Sequence, residues 1–494
     1  FAFKAYRNKR DSKFRELAII SILSLIAIVL IGISTFQTNQ ASNNQFQTSL
    51  HFIEVISKDL GVDKSEVYVN TSAATDGAIL KVGKDFYRAM SGSEPDKYLL
   101  EKIKLHTPCF ILDEQDVAHN ICEFKTALST YFAKSIIGYS VKTNSLPYIL
   151  KIAKDNGCYA EVVSYHEYQL ALKVGFQKDY IIYNGPMKSK ETFLDAIKHR
   201  AIVNIETWRE VDWLDDLPKD QEYEIGIRIN INTSLVSPED EDHPEDDSRF
   251  GFSFESGELD KVINLILKKN NIKIVGIHSH REPKTRSVRF YERVICYVQE
   301  IILKYNLSLK YWDLGGGFFG CMPNKPTYDE YSKAFFNALD VKLRDITFIV
   351  EPGNAIVASG FDYVAEVIDI KDHDGKTYVC TDGTRNDIDP FFRKSDYFKE
   401  FCYQGDTSVF SQLPQVVSGL TCLEYDRMFT IPAGERKLNI GDRVIFHRVG
   451  AYTMSLTPLF IHYFPTIYLK DSKGHLFVIR EEWCEDEFIQ KSKY

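Results

Sequence analysis

Residues 135–176, SIIGYSVKTNSLPYILKIAKDNGCYAEVVSYHEYQLALKVGF, read as strand, helix, strand, helix. The runs SIIGYSV and CYAEVVS have the length of buried strands. LPYILKIAKDNG and YHEYQLALKVGF instead space their apolar residues at helical intervals and stop at a glycine. Outward from this stretch the alternation continues. YIIYNG, AIVNIE, EIGIRIN, IKIVGIHSH, YWDLGGG and FIVEPG are six more short apolar runs, separated by amphipathic segments such as KETFLDAIKHR and VRFYERVICYVQEIILKYN. Eight strand-then-helix units over roughly 235 residues predict a parallel (β/α)8 barrel; a doubly wound sheet is the other arrangement this order allows. From about residue 366 the pattern turns to strands alone, in DYVAEVIDIK, TYVCTDG, QVVSGLTC, RVIFHRVGAYT and PTIYLK, which predicts an all-β C-terminal domain.

Barrel enzymes carry their chemistry at the C-terminal ends of the strands. The first strand ends at Lys142, the second at Glu161 and Ser164, the fifth at Arg228, the sixth at His278 and His280. The seventh ends in the glycines Gly315, Gly316 and Gly317, and the eighth at Glu351 with Gly353. Singly, each has a bland reading: a strand-end charge released to water, a core histidine, a tight turn. Together they are what a phosphorylated aldehyde cofactor needs. An amine enclosed in a largely apolar barrel mouth is expected to have a lowered pKa and to bond covalently to an aldehyde. Successive glycines expose N–H groups to a phosphate, and a carboxylate keeps a pyridine nitrogen protonated.

The chain has 494 residues, enough for about three domains. Its 60 basic and 69 acidic residues, net charge −9, offer no basic stripe, which sets nucleic acid aside. Nine scattered cysteines without a C-x-x-C pair fit a reducing compartment.

The first residues differ in kind. Lys4, Arg7, Lys9, Arg10, Lys13 and Arg15 precede an uncharged run at 17–36, long enough to cross a bilayer, so a transmembrane helix is expected there. The positive-inside rule would send everything after it outward, whereas the cysteines favour the cytoplasm. The second argument is ranked higher, and the catalytic domain is expected in the cytoplasm. The expected organisation is a flank, membrane helix and linker over 1–48, a small α+β unit over 49–102, the barrel over 105–365 and the β-domain over 366–494. Residues 105–128 stay open between the last two.

YSVKTN, EVVSYHE, SRFGF, GIHSH, DLGGGFFG, VEPGN, TDGTRND, GLTCLEYD and GAYT resemble, in sequence and order, the fold-type III pyridoxal-phosphate decarboxylases. The resemblance covers about residues 105–470 and is greatest to the diaminopimelate decarboxylase branch of the ornithine and diaminopimelate decarboxylase family. Residues 1–102 more weakly resemble a small membrane-anchored bacterial domain family of unknown function. The family resemblance implies a pyridoxal 5'-phosphate enzyme working as a homodimer with shared active sites. It implies Lys142 as the lysine bonded to the cofactor, His280 stacked on its ring and Glu351 at its nitrogen. Gly315, Gly316, Gly317 and Gly353 would hold the phosphate with Tyr452, and Cys422 of a second subunit would donate a proton. Arg228, Glu424 and Asp426 would bind substrate, with Glu167 in support.

Departures from the family fall in several places, among them Arg249 where a lysine is expected before FG. Arg281, Glu282 and Pro283 stand where an apolar residue, glycine and a phosphate-binding serine are usual, and Asn354 replaces an arginine. The acidic residue expected directly after the cysteine is Leu423, with Glu424 displaced by one, which in a strand would turn it to the opposite face. The expected activity is decarboxylation of an amino acid, diaminopimelate or a related basic one. An amino-acid racemase on the same fold, or a membrane-tethered scaffold without activity, are the alternatives. The acidic stretch SPEDEDHPEDDSRFGF reads either as a solvated loop or as a lid that concentrates a cationic substrate.

Overall fold

A computed structural model describes residues 53–58, 60–64, 67–69, 79–82, 85–91, 98–103, 105–240, 248–405, 408–471 and 475–493. The chain divides into two compact units, Phe1–Lys104 with Ser472–His475, and Leu105–Asp471 with Leu476–Tyr494. In the first, Val67–Val69, Ile79–Val82, Asp85–Ser91 and Tyr98–Ile103 form an antiparallel sheet in chain order. The expected membrane helix at 17–36 lies outside the described residues. Among those described, no helix is long and apolar enough to cross a membrane.

In the second unit eight parallel strands close into a barrel, as the alternation predicts. They are β1 Ser135–Ser140, β2 Tyr159–Ser164, β3 Ile181–Met187, β4 Ile202–Ile205, β5 Tyr223–Arg228, β6 Ile272–His278, β7 Tyr311–Asp313 and β8 Thr347–Val350. Closure is the pairing of β8 with β1, Phe348 opposite Ser135 and Val350 opposite Ile137.

The outer helices follow from local signals. Ser164 caps the helix Tyr165–Val174 by accepting the Glu167 N–H, and Gly175 ends it at φ +102°, which favours glycine. Ser287 caps Val288–Tyr305, whose buried Phe290, Tyr291, Val294, Ile295, Val298, Ile301 and Ile302 form one stripe against the barrel. Each such side chain stabilises the packing by about 1.5–3 kcal/mol. The eighth place in the ring is filled by a helix that precedes β1, Glu114–Tyr131, packed between Pro147–Asp155 and Tyr328–Ala338.

The β-domain starts earlier than expected. Its central strand runs Phe361–His373, across the boundary placed at 365/366, because the pattern FDYVAE begins within five residues of the barrel's last turn. Cys109–Asp113 also belongs to this sheet, whereas Glu114–Tyr131 belongs to the barrel's ring, so the open stretch is divided between the two: Phe361 pairs with Leu112, and Thr466–Lys470 runs parallel to Cys109–Asp113 on its other side. Arg443–His447 pairs with the same central strand.

Candidate active site

The strand ends of the barrel converge as predicted. Lys142 sits in a 3₁₀ turn, Val141–Thr143, immediately after β1. Its side chain is 36% exposed, open to a ligand, and its Nζ lies 3.1 Å from Glu161 Oε2. Glu161 is buried at the middle of β2 and also accepts from Ser140 Oγ at 2.7 Å. The expected lowering of the Lys142 pKa is not found. Burial does act to lower it, but the charges of Glu161 and Glu351 outweigh burial and hold the ammonium above its ordinary range.

Glu351 follows β8 and is buried. Asn184 donates to its Oε1 at 2.5 Å, and His278 Nε2 stands 3.7 Å from its Oε2. His278 is itself buried, with neither ring nitrogen hydrogen-bonded among the described residues. His280 lies parallel to it, ring centres 6.3 Å apart. The Gly316 N–H donates to His280 Nδ1 at 3.1 Å, so that nitrogen carries no proton. Burial, then the charges of Lys142, Arg228 and Arg281, hold His280 well below its ordinary pKa, leaving a neutral ring.

The glycines are required by close approach. A Cβ at Gly316 would stand 2.2 Å from the Glu351 carbonyl oxygen, and Gly315 and Gly317 have φ +79° and +95°. Two of the three amides face inward, Gly315 N–H to Asp313 Oδ1 and Gly316 N–H to His280, so the row of three phosphate-facing amides expected from the sequence is reduced. Gly353 packs directly on Thr143, where a Cβ would meet Oγ1 at 1.9 Å. The β-domain reaches the same turn: Tyr452 N–H donates to the Thr143 carbonyl at 2.8 Å, and Ser455 Oγ to the Lys142 carbonyl at 2.7 Å. Arg228 sits behind the site, its NH1 on Glu206 Oε2 at 2.8 Å and its NH2 on the His280 carbonyl at 3.4 Å. Glu167 caps its own strand end by accepting the Val163 N–H, and burial pushes its carboxyl up to about 7.

Residues 115–358 match the pyridoxal binding domain of the pyridoxal-dependent decarboxylases. The barrel belongs to that family. Residues 1–110 match a protein family of unknown function (DUF3290). The chain is 26% identical over 368 residues to diaminopimelate decarboxylase of Helicobacter pylori (strain J99), covering 71% of this chain and 86% of the relative. It is 25% identical over 407 residues to diaminopimelate decarboxylase of Bacillus subtilis (strain 168), covering 78% and 91%. The fold is that of diaminopimelate decarboxylase from M. jannaschii in complex with L-lysine, at a TM-score of 0.69 and 23% identity, covering 78% of this chain and 92% of that one. The Paramecium bursaria Chlorella virus arginine decarboxylase bound to agmatine has the same fold, at a TM-score of 0.60 and 20% identity over 72% and 94% of the two chains.

The family's cofactor is pyridoxal phosphate, and this decarboxylase barrel fits it. The accessible amine of Lys142, the neutral ring of His280, the buried acid Glu351 and a glycine turn that admits no Cβ lie around one mouth.

The substrate-side residues are placed elsewhere. Cys422 and Glu424 are exposed on the β-domain, with Glu424 paired to Arg427 at 3.3 Å. The stretch around them is a turn, closed by Asp426 N–H to the Leu423 carbonyl, so the strand-face argument about Glu424 does not apply. Asp426 is not available to a substrate within this chain. It is 2% exposed and accepts from Thr384 Oγ1, the Arg385 N–H, and both the N–H and Oγ1 of Thr421. Five of the seven acidic residues of that stretch lie outside the described residues; Glu239 is paired with Arg293 at 2.6 Å.

Several residues of the site carried no signal in the motifs. Asn184 on β3 and Asn204 on β4 join Glu161, Glu351 and Asp313 into one network. Behind Arg228, Glu206 also accepts the Gly185 N–H, and a fully buried Lys188–Glu210 pair at 3.1 Å braces the same strands. Polar residues at inward-facing strand positions are the sign that would have found them.

Proposed function

We propose that this chain is a pyridoxal-phosphate-dependent amino-acid decarboxylase acting on diaminopimelate or a related basic amino acid. The observation that carries this reading is Lys142, exposed at the mouth of a barrel of the family and held at 3.1 Å by Glu161, with His280 and Glu351 beside it. When bound, pyridoxal phosphate supplies an electron sink for the pair released as the bond from Cα to the carboxylate breaks. Lys142 holds a proton that it must lose before its amine can attack an aldehyde, and Glu161 Oε2 is the base placed to take it. His280 offers a flat, uncharged face fixed by the Gly316 amide. Tyr452 and Ser455 tie the Lys142 turn to the β-domain, so the amine is positioned by both domains.

Cys422 acts as proton donor from a second copy of the chain in a homodimer, with Glu424 near the substrate. Its exposure on the β-domain supports that role. Gly317 and Gly353, with Tyr452, would hold the phosphate. The names of the relatives support the substrate class.

The test is carbon dioxide release from labelled diaminopimelate, lysine and ornithine, with product chirality followed in parallel. Racemisation without carbon dioxide would replace this reading with the racemase. Absence of both turnover and cofactor retention would leave the scaffold. Mixed dimers of Lys142→Ala and Cys422→Ala should regain activity; failure to do so would dispose of the shared site. Membrane attachment through residues 17–36 with the catalytic unit in the cytoplasm is part of the proposal. Protease protection in intact cells with digestion in inverted vesicles is its expected result.

A further inference from the structure

Glu351 has a carboxyl group for a neighbour. Asp313, at the end of β7, is fully buried, and one of its carboxyl oxygens lies within 4.8 Å of a carboxyl oxygen of Glu351. Two buried carboxyl groups this close cannot both be charged unless each has a cation of its own, so without one the pair keeps a proton.

The groups around the pair do not supply a compensating charge for each acid. From β2 a third carboxyl, Glu161, faces the same space and takes the Lys142 ammonium at 3.1 Å. From β5 Arg228 is committed to Glu206. From β6 His278 stands 3.7 Å from Glu351, and burial, then the charges of Arg228, His280 and Lys142, keep it neutral. One ammonium serves three buried acids. Among the described residues the neutral donors are shared unequally: Asp313 receives the Gly315 N–H at 3.0 Å and Asn204 Nδ2 at 3.3 Å, while Glu351 receives Asn184 Nδ2 alone. A carboxylate is better solvated at Asp313, and the proton belongs on Glu351. The direction of titration agrees. Burial, then the charge of Asp313, raises Glu351 well above its ordinary range, while burial lifts Asp313 only to about 7.

We propose that Asp313 is a positioning residue for Glu351, the two carboxyl groups holding one proton between them in the cofactor-free protein, with Glu351 donating it to Asp313. This deepens the cofactor-site reading and rests on it. A pyridine nitrogen brought against Glu351 takes that proton: the O–H bond breaks as the N–H bond forms, and the negative charge left on the carboxyl pair faces the new cation. The site thus carries its own proton for the ring nitrogen.

Infrared spectra of the full chain, with and without pyridoxal phosphate, test this through the C=O band of a protonated carboxyl group. At neutral pH the wild-type band should be present without cofactor and absent with it. Asp313→Asn keeps the size of the side chain and can donate to Glu351, yet should lose the cofactor-free band; Glu351→Gln should lose it too, and gives a second reading where either variant folds poorly. Asp313→Asn should also weaken cofactor binding by about tenfold, ~1.4 kcal/mol. A band that persists in Asp313→Asn, or a wild type without one, overturns the proposal. Cofactor retention lost in Lys142→Ala tests the underlying site separately, since the band is measured before any cofactor is added.

Discussion

Replacing Glu161 by glutamine should shift the titration of Lys142 downward by about two pH units. The pair is 3.1 Å apart, and two unit charges at that distance attract by about 5 kcal/mol at an effective dielectric near 20. The Lys142 side chain is about a third exposed, so solvent screening removes about half of this. The remaining 2–3 kcal/mol, at about 1.4 kcal/mol per pH unit, gives the shift. Glutamine retains an oxygen for Ser140 and for Lys142 itself, so the change removes charge with little change in packing. Competitive acetylation of Lys142 across pH, read by mass spectrometry in the cofactor-free protein, follows the amine directly. The wild-type midpoint should lie above that of an ordinary lysine and fall in Glu161→Gln. A midpoint that is unchanged or rises would refute the claim that Glu161 governs this amine.

Gly316→Ala should abolish cofactor retention measured by absorbance, because its Cβ would stand 2.2 Å from a backbone oxygen that cannot yield without moving Glu351. Asp426→Ala should destabilise the β-domain by about 3 kcal/mol in denaturant unfolding, since it removes a buried acceptor with four donors; a small change in stability with a large rise in KM would restore Asp426 to substrate binding. His447 is held at about 9 by its hydrogen bond to Asp362 and then by Glu400, 3.7 Å from Nε2, so its folded pKa is raised above the unfolded value near 6.5. Its contribution, about 1–2 kcal/mol after allowance for its partial exposure, is fully present below about pH 6.5 and lost as pH rises through 9. His447→Gln should therefore destabilise the protein at pH 6 and have little effect at pH 10, read by thermal unfolding in the two buffers.

The barrel strands were legible because they are short apolar runs, most of them β-branched, that alternate with amphipathic segments. Lys142, His280 and Glu351 could be found because they stand where such runs close, and Glu161 because it is a lone acid inside one. Asn184 and Asn204 were passed over, since asparagine is depleted in strands and reads as a turn former, whereas here it bridges acids inside the barrel. The raised Lys142 pKa was hidden for a related reason: enclosure alone predicts a lowered value, and the sequence does not say that Glu161 Oε2 stands 3.1 Å away. Glu424 and Asp426 were misread because GLTCLEYD has the apolar residues of a strand but folds as a turn, which places one acid in solvent and the other in a buried nest of donors.

Cys109–Asp113 enters the β-sheet beside Phe361–His373 and Thr466–Lys470, about 250 and about 350 residues further along the chain. A ribosome therefore releases this strand long before its neighbours exist. The whole barrel lies between them and can close on local strand pairs in the meantime, while the edges of Cys109–Asp113 await chain yet to be made. A nascent chain arrested just beyond residue 358 should accordingly hold a closed barrel and one unpaired strand, and the interval before residue 470 emerges is when that strand is open to pairing with another molecule.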